Sequence, residues 1–118
     1  LYQGAKFSPD GRYLLVSKLN QDSSATLVIY DLPSREAFVI GLFAAIDQAA
    51  WTADAKELWV ASSSGLIRYT LETQEIVSAY QFPEGESRRI RSLLLHPEKK
   101  FALFVDEATG YLYRVEIK

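Results

Sequence analysis

The chain has 118 residues, 48% of them apolar and 24% charged, with a formal net charge of −2. That length holds one modest domain with a core, and that charge lacks the clustered basic excess of a nucleic-acid surface. The absence of cysteine excludes disulfides and thiolate metal sites. The longest apolar run, Ala37 to Ile46, is ten residues, about half of what a membrane-spanning helix needs.

A first strand is expected at 2–7, ending in Phe7. It runs into Ser8-Pro9-Asp10-Gly11, a turn by its residue chemistry. Tyr13-Leu14-Leu15-Val16 marks a second strand at 12–18, and a polar loop, Lys18–Ser24, leads to a third at 25–32 around Tyr30. A fourth follows at 36–42. The order then begins again, with strands at 46–51, 57–62, 66–71 and 75–82, and a third time at 89–95, 100–105 and 111–117. Valine, isoleucine and aromatic residues fill these segments, and Gly, Pro, Asp and Ser separate them.

The recurrence is a sequence repeat. Phe7, Trp51 and Leu95 are 44 residues apart, as are Leu15, Trp59 and Leu103. Tyr30, Tyr69 and Tyr113 centre the third strands, the first copy carrying five extra residues in its Lys18–Ser24 loop. The second strand of each copy is apolar at consecutive positions, as in Leu58-Trp59-Val60-Ala61. A sheet with one solvated face would alternate, so these strands are expected to be covered on both faces. The fold class is therefore all-β, three antiparallel four-stranded units with the last outer strand missing. The unit boundaries fall at about 1–43, 44–87 and 88–118.

Ser8-Pro9-Asp10-Gly11-Arg12-Tyr13-Leu14-Leu15-Val16, followed by Leu27-Val28-Ile29-Tyr30-Asp31-Leu32, resembles the blades of WD-repeat and YVTN-type β-propellers. Glu72-Thr73-Gln74-Glu75 resembles their turn between third and fourth strands. The only aromatic–Asp pair is Tyr30-Asp31, and the only histidine is His96, so the hydrogen-bond network of strict WD repeats has no residues to build it. Such rings use about four to eight blades. The resemblance implies that three blades are part of a larger propeller, its C-terminal part by the missing outer strand. The remaining blades would come from the same longer chain or from an identical one, and two chains would supply six. The absence of methionine leads to the expectation of either a removed leader or a segment of a longer chain.

The resemblance also implies that Lys18–Ser24, Gly41–Asp47, Ser62–Gly65, Pro83–Arg89 and Asp106–Gly110 share one face, with tight turns such as Ser8–Gly11 and Pro33–Glu36 on the other. Loops on a rigid scaffold commonly carry binding. The candidate partner-binding residues are Lys18, Asn20, Asp22, Asp47, Arg88, Arg89, Arg91, Asp106 and Glu107. Arg88, Arg89 and Arg91 are the densest basic cluster, suited to an acidic or phosphorylated peptide or else to internal pairing with Glu84 and Glu86. Asp106 and Glu107 are adjacent in a loop and are expected to be solvated rather than a carboxylate pair flanking a bond. His96 takes the turn position of Ser8 and Thr52, and Ser62-Ser63-Ser64-Gly65 lacks the lysine and helix of a phosphate loop. No catalytic set, metal site or cofactor is implied.

The function expected is a non-catalytic protein–protein interaction scaffold, with no nucleic-acid or membrane partner. The alternatives are a propeller attached to an enzyme, as a peptidase gate or as part of a catalytic propeller, and a small-ligand or carbohydrate-binding propeller. The repeat also predicts that Phe7, Leu15, Trp51, Trp59, Leu95 and Leu103 are no more exposed than their sequence neighbours. Gln3, Asp47 and Arg91 are register equivalents at the start of inner strands, and Asp47 is expected to pair with Arg91.

Overall fold

A computed structural model describes residues 4–22, 24–43, 46–83, 89–96 and 101–116. Among them are eleven strands: β1 Gly4–Phe7, β2 Tyr13–Leu19, β3 Ala25–Asp31, β4 Glu36–Phe43, β5 Ile46–Trp51, β6 Glu57–Ser62, β7 Gly65–Thr70, β8 Glu75–Gln81, β9 Ile90–Leu95, β10 Phe101–Asp106 and β11 Leu112–Glu116. They form three antiparallel sheets in simple chain order, β1 to β4, β5 to β8 and β9 to β11.

The tight turns are local side-chain devices. The Ser8 hydroxyl accepts the Tyr13 amide at 3.0 Å and donates to Asp10 at 2.6 Å. Forty-four residues on, Thr52 accepts the Glu57 amide and donates to Asp54 in the same way. The hydrogen bond from Ser8, and then that from the Arg12 amide, holds the Asp10 carboxyl below its usual value. Thr52 and the Lys56 amide do the same for Asp54. Gly11 and Ala55 occupy the same left-handed position, with φ of 74° and 60°.

The repeat register is met in the ladders. Phe7 pairs with Leu14, Trp51 with Leu58 and Leu95 with Ala102. A bulge leaves Asp47 unpaired in β5 and Arg91 unpaired in β9, at equivalent positions. Within the second sheet, Gly65 opens β7 where a Cβ would collide with the Tyr80 carbonyl, so only glycine lets β8 approach there.

Two apolar layers join the sheets. Leu15, Leu27 and Ile29 of the first sheet meet Trp51, Leu58 and Val60 of the second. Trp59, Ala61 and Leu66 of the second meet Leu93, Ala102 and Phe104 of the third. Consecutive residues of β6 thus point alternately into two different layers, which is why the strand is apolar throughout. Full burial of each such side chain contributes roughly 1.5–3 kcal/mol.

The burial expectation fails at two of the six repeat positions. Leu15, Trp51 and Trp59 are buried and Leu95 is less exposed than its neighbours, but Phe7 is 63% exposed and Leu103 is more exposed than Ala102 and Phe104. The ladders between first and second strands show that the register of these six is nevertheless right. The third-strand tyrosines, in contrast, are not all equivalent. Tyr30 and Tyr69 pair with Leu14 and Leu58, but Tyr113 pairs with Phe104, and Val115 takes the matching place opposite Ala102. Phe7 and Leu103 lie on the outward faces of the first and third sheets, where no described residue covers them.

Candidate loop-face interface

Antiparallel order places the β2–β3, β4–β5, β6–β7, β8–β9 and β10–β11 connections at corresponding ends of their sheets. Between the second and third sheets these ends are tied by side chains. Bulged out of the ladder, Asp47 turns its carboxylate toward β9, where Oδ2 accepts the Ile90 amide at 2.9 Å. Its Oδ1 accepts Arg89 Nε at 2.9 Å. The Asp47 side chain is 3% exposed and that of Arg89 is 56% exposed. A buried carboxylate therefore holds one edge of a guanidinium whose bulk faces solvent, which is how a buried charge is normally compensated.

The expected Asp47–Arg91 pair is replaced by Asp47–Arg89. Inner strands of adjacent sheets meet at an offset of 43 residues, as the Asp47–Ile90 bond and the bond from Gln48 Nε2 to the Arg91 carbonyl at 2.9 Å show. Shifting a strand by one residue turns its side chains to the other side, so Arg91 is exposed and offers Gln48 only its carbonyl. Lys6 Nζ bonds the Ala49 carbonyl at 3.0 Å across the first joint with the same offset of 43. The sequence reading missed Lys6 and Gln48. The detectable signal was a polar residue one short of the repeat period from its partner.

Glu107, on the loop after β10, is exposed, and its amide donates to the Arg89 carbonyl at 2.9 Å. The expectation of solvation fails for Asp106, which is buried. Its Oδ1 accepts the Ala108 amide at 2.9 Å and its carbonyl accepts the Gly110 amide, so it builds the turn from within. Arg88 and Gln3 lie outside the described residues, as do Glu84 and Glu86. The structure therefore brings Asp47, Arg89, Arg91 and Glu107 to one corner.

Lys18, Asn20 and Asp22 belong to a separate loop. Lys18 is exposed. Asn20 Nδ2 donates to Ser24 and Thr26, and Asp22 accepts the Ser24 amide. Hydrogen bonds from the Ser24 hydroxyl, then its amide, depress the Asp22 carboxyl. These bonds brace the loop. His96 repeats the sister turns through its amide, which donates to the Phe101 carbonyl, and its ring lies 5.0 Å from that of Phe101. On the opposite face, a cleft between the first two sheets is lined by Arg12, Tyr13, Asp54, Lys56 and Glu72. There Arg12 pairs with Asp31 at 3.1 Å, and its hydrogen bond lowers the Asp31 carboxyl. Among the described residues no His, Cys, Asp and Glu group could hold a metal, and no helix is long and apolar enough to cross a membrane.

The arrangement of sheets has counterparts among solved structures. The β-propeller domain of the Trilobed protease from Pyrococcus furiosus superposes over 97% of this chain with a TM-score of 0.73 at 16% identity. The fold is that of a β-propeller. Its three sheets are blades, with β1, β5 and β9 innermost. An auxiliary nutrient binding protein from Bacteroides thetaiotaomicron matches over 98% of the chain, with a TM-score of 0.68 and 14% identity. The β-propeller domain of Myceliophteria thermophila Cps50 (Swd1) matches over 97%, with a TM-score of 0.62 and 16% identity. This chain spans 40%, 28% and 39% of those three chains. No family model matches the sequence, and no curated protein is significantly similar to it.

Proposed function

We propose that this chain is a non-catalytic binding scaffold whose loop face takes an acidic segment of a protein partner through Arg89 and Arg91. The blades are read as divergent WD/YVTN-type repeats, on the strength of Ser8–Val16 and Leu27–Leu32. The observation that carries the binding reading is the clamp on Arg89. Its Nε is fixed by a buried Asp47 carboxylate while most of the side chain faces solvent. A guanidinium already held in place loses less freedom on binding, and its outer edge matches a carboxylate or phosphate. Arg91 stands exposed on the adjacent bulge.

A fluorescence-anisotropy screen of Asp/Glu-rich and phosphorylated peptides tests this. Binding in the micromolar range is expected, with the double variant Arg89→Ala/Arg91→Ala weakened at least about tenfold, some 1.4 kcal/mol, while it stays folded at the assay temperature, its stability lowered by no more than about 1 kcal/mol. Equal binding by that variant, or no acidic peptide bound at all, would overturn the reading.

A further inference from the structure

The corner that holds Arg89 also holds a carboxylate to which the arginines leave no role. In the ladder of the third blade, Asp106 stands opposite Ile90. At the next position come Glu107 and Arg89, where the Glu107 amide donates to the Arg89 carbonyl at 2.9 Å. Directly opposed residues of antiparallel strands have Cβ atoms about 4.5–5.5 Å apart, within reach of an ion pair. That pair is not made, because Arg89 gives its Nε to Asp47 instead. The buried Asp47 carboxylate needs a partner out of water, whereas an exposed carboxylate is satisfied by solvent and gains little from pairing.

Glu107 is therefore exposed and makes no ion pair with a described residue. Ser63 holds the equivalent position in the second blade, which is flanked on both sides, and it too is reached by solvent. Exposure here is a property of the loop tip. The tip is also braced. Asp106 Oδ1 accepts the Ala108 amide at 2.9 Å, and the Asp106 carbonyl accepts the Gly110 amide at 2.8 Å. Bonds on either side of Glu107, together with that of its own amide, hold its backbone beside a clamped guanidinium. The corner thus presents fixed charges of both signs to solvent.

We propose that Glu107 selects what the loop face binds: a partner segment carrying a lysine or arginine next to its acidic group. The acidic group meets Arg89 and Arg91, and the neighbouring cation meets Glu107. This rests on the role proposed for the two arginines. A wholly acidic segment would bring like charge against Glu107. Discrimination of this kind comes from repelling the wrong partner as well as attracting the right one, and complementary charges fix the register of the bound segment.

Fluorescence anisotropy at low salt, where exposed charges are least screened, tests the proposal with two peptides. Both carry the same acidic triplet, flanked by alanine in one and by lysine in the other. The protein should prefer the lysine-flanked peptide by about threefold, the scale of an exposed ion pair. Glu107→Gln should abolish the preference, tightening the alanine-flanked peptide and weakening the other, and Glu107→Lys should reverse it. Glu72→Gln makes the same charge change on the opposite face and should leave the preference intact. Equal binding of the two peptides by the unaltered protein overturns the proposal, as does a preference that survives Glu107→Gln or is equally lost in Glu72→Gln. If either result comes with binding that still requires Arg89 and Arg91, the arginine reading stands and only the selectivity falls. If neither peptide binds, both fall.

Discussion

The first and second blades carry matching residues at matching register and bury them to different extents. Phe7 and Trp51 stand at the same rung, opposite Leu14 and Leu58. Trp51 is packed beneath the first blade, stacked 6.0 Å from Tyr13, while Phe7 is in solvent. The chemistry of the strand is the same in both, so burial is a property of the joint and not of the blade. A propeller blade is two half-interfaces, and only the second blade has both of them filled by described residues.

That comparison is most easily broken by truncation at equivalent rungs. Trp51→Ala should cost roughly 3–5 kcal/mol, the range for a buried large aromatic. Phe7→Ala should cost about 1 kcal/mol or less at concentrations where the chain is single, because most of its surface stays wet. Urea unfolding measures both. Equal losses would mean that the first blade is covered in solution.

A smaller effect separates the two partners of the loop-face clamp. Asp47→Ala leaves the Ile90 amide without its acceptor and should cost about 1–3 kcal/mol. Arg89→Ala removes a partner that is more than half exposed, and should cost under about 1 kcal/mol. Similar losses, again by urea unfolding, would mean that the ion pair and not the Asp47–Ile90 bond carries the joint.

The smallest effect concerns the turns. Arg35 and Gln74 are equivalent exposed residues held at φ of 62° and 57°. Glycine at either position should raise stability by about 0.5–1 kcal/mol by relieving left-handed strain. Ala55→Gly should gain less, since the Ala55 methyl is buried and its loss offsets the relief. A calorimetric melting series orders the three.

Eleven strands, their antiparallel order and the equivalence of Asp47 with Arg91 were legible in the chain. Each depends on residues close in sequence: Ser8 and Thr52 close turns within five residues, and alternating or continuous apolar runs set the strands. The candidate site was legible only in part. Arg89 and Glu107 do reach one corner with Asp47, but the partner of Asp47 was misassigned, and Asp106 proved to be part of the turn's interior.

What the sequence determined by itself was the unit and its period, because hydrogen-bonded ladders and turn side chains act over short separations and repeat whenever their residues do. What the tertiary structure decided was how one unit lies on the next. Inner strands of neighbouring blades are matched by packing and isolated side-chain bonds, at an offset of 43 where the repeat is 44. That one-residue difference decides which arginine meets Asp47, and the presence or absence of a neighbouring blade decides which of two equivalent leucines, Leu14 or Leu58, leaves water.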